Sequence, residues 1–230
     1  MFSDFDFDVI INSLPYLIKE GLTFTLMLTA LATLGGLALG TLIAMARLSG
    51  IKPLVLIATG YVNLIRSLPL VLVIFWFYFL VPYILQWATD ARNPVPVGAF
   101  ASALITFTIF EAAYFAEIMR AGIQSISRGQ PAAASAIGLT YWQSMRYVIL
   151  PQALRNMLPV ILTQMIVLFQ DTSLVYVVSL PDFLGAASKI AQRDGRLVEM
   201  YIFAAIVYFI ISFAASLLVK RLQRKVAIIR

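Results

Sequence analysis

Asp171 stands inside an apolar run, with Met165-Ile166-Val167-Leu168-Phe169-Gln170 before it and Leu174-Val175-Tyr176-Val177-Val178 after it. An ionised Asp at the centre of a membrane helix costs roughly 2.5–3.5 kcal/mol on insertion scales, so it needs a partner or water. The ammonium group of a bound ligand is one such partner, and Thr172 and Ser173 offer hydroxyls beside it. A structural ion pair, or a capping role at a helix break, accounts for Asp171 equally well, and the residues alone leave both open. Glu111 and Glu117 also fall in an apolar stretch, at a spacing that points them to different faces of a helix. Glu117 with Arg120 makes an i, i+3 pair of structural character. Glu111 lies deeper and is expected to pack against a later apolar segment. The chain has no Cys and no His, which removes thiolate nucleophiles, sulfur metal sites and the usual acid–base group near neutral pH. No catalytic dyad stands out, and no metal site is expected.

The elements that position these residues follow from composition. The 230 residues are 61% hydrophobic and 12% charged, with a mean hydropathy of +0.91, far from a soluble average. Charge-free windows of about 20 residues match the length a bilayer core demands. Five spans are expected: Gly21 to Ala46, Leu70 to Trp87 with an apolar helix from Leu54 before it, Val97 to Met119, Leu158 to Leu180, and Met200 to Val219. The chain reads as one all-α membrane domain, with a spanning core from about residue 20 to residue 220. Its start, Met1 to Asp6, is acidic and lacks the basic n-region of a cleaved signal peptide.

Charge sets the orientation. Arg47, Lys52, Arg66, Arg120, Arg128, Arg146, Arg155, Lys220, Arg221, Arg224, Lys225 and Arg230 collect on one side, twelve cations against five on the other. The richer side is expected in the cytoplasm, which puts the N-terminus outside and the C-terminus inside. The net charge of +6 answers the anionic inner leaflet and does not call for nucleic acid. Gly36 and Gly40 make a Gly-x-x-x-Gly face suited to close helix contact. The string from Gly35 to Thr41 imitates a phosphate loop, but its Lys is missing. Any ATP must therefore be bound by another chain. Pro69, in Arg66-Ser67-Leu68-Pro69, should break the helix entering the second span. That break is either a cavity-lining feature at membrane depth or a simple span boundary.

Between the third and fourth spans, Arg128 to Pro151 is polar, basic and patterned as helix, turn and helix. A helix from Ser127 to Thr140 is too short to span. Its Ala, Ile and Leu face needs a partner, or else rests on the membrane as an amphipathic helix. The intervals of Ala132-Ala133-Ala134, Gly138, Val148 and Leu150-Pro151 resemble the cytoplasmic coupling motif of ABC importer permeases. That motif runs Glu-Ala-Ala, three residues, Gly, nine residues, Ile, one residue, Leu-Pro, and every interval fits. Arg66-Ser67-Leu68-Pro69-Leu70, Glu111-Ala112-Ala113-Tyr114, Glu117 to Ile123, Arg128-Gly129-Gln130, Leu150 to Ala153 and Asp171 to Leu174 extend the likeness along nearly the whole chain. They are similar to the polar amino-acid uptake permeases. Phe169 to Tyr176 most resembles the glutamate/aspartate branch, with Gln170 where many relatives have Lys.

The resemblance implies a type I importer fold of about five spans with a cytoplasmic coupling helix at 127–140. It implies two cytoplasmic ATPase subunits, a periplasmic amino-acid-binding protein and a second permease, a heterodimer in the glutamate branch. Gly129, Gln130, Ala132, Ala133, Ala134, Gly138 and Leu139 would then meet the ATPase. Asp171, Thr172, Ser173, Asn63, Ser67 and Glu111 would line the substrate path, and a helix break near Asp171 would free N–H groups for the α-carboxylate. Ala132 replaces the Glu of the coupling motif, which removes an acidic contact. Asn63 replaces a frequent Glu, which would spare an acidic substrate a repulsive charge, or is an ordinary polar residue at a helix entrance. The expected spans hold no Lys or Arg in their middles, so a side-chain carboxylate must find neutral donors, the second permease, or selection by the binding protein. A self-sufficient secondary transporter or a membrane scaffold is the competing reading. Five spans give no even inverted repeat, and a docking helix would have no role in either.

Overall fold

Capping residues and prolines decide where the apolar runs of this chain begin, bend and stop. The computed structural model describes residues 5–226. Residues 1–4 of the acidic start, and Arg230, lie outside them.

Helix α1, Phe7–Leu48, starts where the Asp6 carboxylate accepts the N–H groups of Asp8 (2.9 Å) and Val9 (3.4 Å). It begins well before Gly21, the expected start of the first span. A π-helical turn, Leu17–Leu22, carries the backbone through Lys19 and Glu20 instead of ending at them. Its 42 residues extend about 63 Å at 1.5 Å per residue, twice a hydrocarbon core of about 30 Å. One end of α1 must therefore project beyond the apolar layer.

Helix α2, Lys52–Arg66, has a proline in its first turn and packs on α1 and on α4. Extended Pro69 (φ −62°, ψ 130°) separates it from α3, Leu70–Thr89. Helix α4, Ala99–Gln124, is the most buried span. After the short α5, Gly129–Ala136, the helical run α6 extends over Tyr141–Val178. It starts earlier than the expected Leu158, because a π-helical turn at Met145–Ile149 leads straight into Pro151. Pro159 is absorbed within α6, where its carbonyl accepts the Thr163 hydroxyl at 2.9 Å. Helix α7, Phe183–Asp194, is capped by buried Asp182, which accepts from Leu184 (2.9 Å) and Gly185 (3.1 Å). Helix α8, Leu197–Val226, completes the bundle.

The glycine face of α1 sets how closely the central pair approaches. A Cβ on Gly36 would sit 3.0 Å from the Glu111 Cβ, and one on Gly40 would sit 2.9 Å from the Ala112 carbonyl oxygen of α4. The helices meet backbone to side chain, as small-residue stripes allow in membranes. Phe107, Phe110, Val73, Ile74, Leu168 and Val175 fill the core between α3, α4 and α6. A second core joins α7 to the start of α1 and to α8 through Leu17, Phe183, Ile190 and Met200.

Candidate functional site

Two places in this bundle hold polar groups that the apolar packing does not absorb. The first surrounds Tyr114 of α4. The last turn of α2 aligns Asn63, Arg66 and Ser67 on one exposed face, at i, i+3 and i+4. The Ser67 hydroxyl donates to the Asn63 carbonyl at 2.7 Å, which ends the helix tidily before Pro69. Arg66 then reaches over the ring of Tyr114, its Cζ 5.4 Å from the centroid.

Tyr114 sits near the middle of α4, and α3 by itself is long and apolar enough to span. Arg66 therefore stands just before the second span, across the Ser67–Pro69 break, with its guanidinium against α4.

One turn before Tyr114, Glu111 is fully buried against the Gly36 face of α1. Gln164 of α6 donates its amide to both carboxylate oxygens, at 3.3 and 3.1 Å. This is the contact with the fourth span that its depth suggested. Asp171 lies two turns beyond Gln164 on the same face of α6. It is half-buried and makes no hydrogen bond or ion pair among the described residues. Around Tyr114 the Arg66 guanidinium lies over the ring, and Glu111 stands one turn earlier on α4.

Asp171 is not at a helix break. The α-helical turns end there, but the backbone continues as a 3-10 helix over Thr172–Val178 and stops only at Ser179 (φ 60°). The N–H of Thr172 is already spent on carbonyls within the helix, so the expected set of free N–H groups beside Asp171 is not present. Thr172 is buried, and its hydroxyl donates to the Phe169 carbonyl at 2.7 Å. That hydroxyl therefore holds the tightened turn, while Ser173 remains partly exposed.

The second place is the turn after α5. Ala134 is buried beneath the helix, while Gly129, Gln130, Ala132, Ala133 and Gly138 are exposed and Leu139 is half-exposed. The Leu139 N–H donates to the Ala134 carbonyl (3.1 Å) and the Gly138 N–H to the Ser135 carbonyl (3.0 Å). This is a Schellman termination, and it requires the left-handed φ of 81° that Gly138 supplies. Thr140 and Gln143 then form a capping box that starts α6. Gln152 ties the segment down by donating to Gln130 at 3.2 Å. Ile137, Tyr141, Trp142 and Tyr147 are left exposed around it.

Sequence reasoning placed Glu117 with Arg120 and missed Arg47, 70 residues away, whose guanidinium also bonds Glu117 and clamps α1 to α4. It missed the contact of Arg66 with Tyr114 for the same reason: only packing of α2 on α4 brings the two together.

An apolar bundle of five spans with a glycine-ended surface helix is the fold of the type I importer permeases. The chain belongs to the family described as the binding-protein-dependent transport system inner membrane component, which matches residues 36–228. It is 54% identical over 226 residues to the glutamate/aspartate import permease protein GltK of Escherichia coli O6:H1, covering 97% of this chain and 99% of that one. It is 35% identical to the glutamine transport system permease protein GlnP of Escherichia coli K12, over 98% and 99% of the two chains. A crystal structure of an amino acid ABC transporter with histidines superposes with a TM-score of 0.87 at 34% identity, covering 96% of this chain and 98% of that one. An inward-facing structure of the MetNI methionine ABC transporter shares the fold at a TM-score of 0.72 and 21% identity, over 93% and 97%. The chain is thus a multi-pass inner-membrane permease subunit, and the secondary-transporter and scaffold readings fall away.

Proposed function

We propose that this permease imports glutamate and aspartate, and that Arg66 and Asp171 are the two charges that meet the substrate. The cargo assignment is supported by the glutamate/aspartate relative, which matches nearly the full length of both chains. One observation supports the site: the Arg66 guanidinium lies over the Tyr114 ring, and Asp171, half-buried on α6, has no ion pair among the described residues. A desolvated unpaired charge is costly, and a zwitterionic ligand with an extra carboxylate offsets both costs at once. The Arg66 guanidinium takes a carboxylate, and Asp171 takes the α-ammonium. Glu111, held by Gln164, keeps α4 and α6 in register beneath them. Thr172 locks the turn that carries Asp171. Ser173, Ser67 and neutral Asn63 line the path without adding an anion.

Energy enters from the cytoplasmic side. Each of two ATPase subunits receives the helix Gly129–Ala136 and its Gly138 turn, with Gln130, Ala132, Ala133 and Leu139 in the contact. ATP is bound and hydrolysed on those subunits, and this chain needs no cofactor of its own. Closing of the ATPases moves the helix and shifts a two-state bundle between inward-open and outward-open forms. A periplasmic binding protein delivers the amino acid, and a second, different permease completes the path. The basic loops put the N-terminus outside and the C-terminus inside.

The test is uptake of labelled glutamate into proteoliposomes holding the whole transporter with its binding protein. Asp171→Asn and Arg66→Gln should each lower transport efficiency roughly ten- to hundredfold, as loss of a charge-assisted bond implies. The docked ATPase should keep its basal hydrolysis. Unchanged uptake in both variants removes this site.

A further inference from the structure

An apolar groove of about 370 Å³ runs between α1, α6 and α8, and the function above makes no use of it. Its deep end is formed by Leu26 and by Phe169, whose ring lies 5.2 Å from that of Tyr208. Along α8 it is lined from Ile211 to Leu222, a rise of about 16 Å. That is the depth of one leaflet of a hydrocarbon core about 30 Å thick. Thr29 adds no free donor to this lining, because its hydroxyl is spent on the Thr25 carbonyl at 2.7 Å, while Ser212 keeps a buried hydroxyl without a partner among the described residues.

The shallow end is basic. Leu222 lies inside the run Lys220, Arg221, Arg224, Lys225, which contains no acidic residue. All four cations are exposed, and none makes an ion pair or hydrogen bond among the described residues. Arg221 stands three residues beyond Leu218, and Lys225 three beyond Leu222, so both share the face of α8 that lines the groove. Arg155, two turns before Leu162 on α6, brings an exposed fifth cation to the same end.

An apolar groove about one leaflet long with cations at one end matches one kind of molecule. We propose that the groove holds an acyl chain of an anionic phospholipid, with its headgroup bound by Arg221, Lys225 and Arg155. Each such cation near the surface strengthens the attraction to an anionic lipid. A second copy of α8 seated here would bring the same cations against these and be repelled. A soluble partner could reach the mouth but not the deep end. The lipid joins α6 to α8 beside Phe169, close to the turn that carries Asp171.

The absence of native cysteine makes a direct test possible. Leu218→Cys is labelled with benzophenone maleimide in the assembled transporter, in nanodiscs of phosphatidylethanolamine with a minority of phosphatidylglycerol. After illumination, the mass of this chain should rise by one phosphatidylglycerol. Addition of a whole protein chain, of phosphatidylethanolamine only, or of nothing overturns the proposal. Native mass spectrometry of the detergent-purified complex gives a second readout. Ala215→Phe, which fills the groove, and Arg221→Gln with Lys225→Gln, which leave the packing intact, should each reduce retained phosphatidylglycerol by about tenfold. Equal retention of phosphatidylcholine and phosphatidylglycerol by the unaltered complex, or undiminished retention in both variants, also overturns it.

Discussion

Gly35 and Gly40 lie on the same helix, five residues apart, and both face α4, yet a methyl group should cost very different amounts at the two positions. At Gly40 the new Cβ would stand 2.8 Å from the Phe115 Cβ, 2.9 Å from the Ala112 carbonyl oxygen and 3.0 Å from the Ala116 nitrogen. Two of those atoms are backbone of a central helix and cannot turn aside, so α1 and α4 must separate. Overpacking of this kind costs about 1–3 kcal/mol. At Gly35 the Cβ would meet only the side chain of Thr108, at 2.9 Å from Cγ2 and 3.0 Å from Oγ1. Thr108 can rotate about χ1, at about 0.5–1.5 kcal/mol if it leaves its well. Both substitutions gain the same helix propensity, about 1 kcal/mol, which cancels in the comparison. Gly40→Ala should therefore be less stable than Gly35→Ala by about 1–2 kcal/mol. For a chain of this size that is a melting-temperature gap of roughly 2–8 °C. Thermal unfolding of the purified complex, followed by a thiol-independent dye, reads the gap. A Gly35→Ala protein that melts at or below Gly40→Ala would refute the reasoning about backbone contact.

Other outcomes follow from single groups. Glu117→Gln leaves the Arg47 and Arg120 guanidiniums facing each other with their common anion gone. Because all three are partly buried, we expect a loss of about 1–3 kcal/mol and faster proteolysis between α1 and α4. Thr25→Val removes the hydroxyl that accepts the buried Phe183 N–H at 3.0 Å. It should cost about 1–3 kcal/mol and raise hydrogen exchange at the start of α7 selectively. Gly138→Asp places a side chain at φ 81°, where nothing crowds it but its own backbone resists. The strain is about 1–2 kcal/mol, so the chain should insert normally while substrate-stimulated ATP hydrolysis falls. Normal stimulation in that variant would show that the turn is not used for docking.

Composition alone determined that this chain crosses a membrane, because long charge-free runs have no stable place in water. The same holds for the surface helix and its Gly138 turn: a short Ala-rich segment closed by glycine is a local signal, and the backbone obeyed it locally. Glu117 with Arg120 was legible for that reason too, since i and i+3 meet on any helix. Helix ends were less legible. Lys19, Glu20, Pro151 and Pro159 all look like punctuation, yet π-helical turns and neighbouring helices carried α1 and α6 through them. Only the tertiary structure decided the site. Arg66 counts as a loop cation until α2 lies along α4 and sets it over Tyr114. Glu111 is an isolated acid until Gln164 arrives from α6, 53 residues away. Asp171 stands out in sequence, but that it has no hydrogen-bond or ion-pair partner among the described residues emerges only when every neighbouring helix is in place. Spacing along one helix fixes which side chains share a face. Which faces meet is fixed by the glycine stripe and the prolines acting through packing, and the charges at the centre of this permease are brought together by that packing.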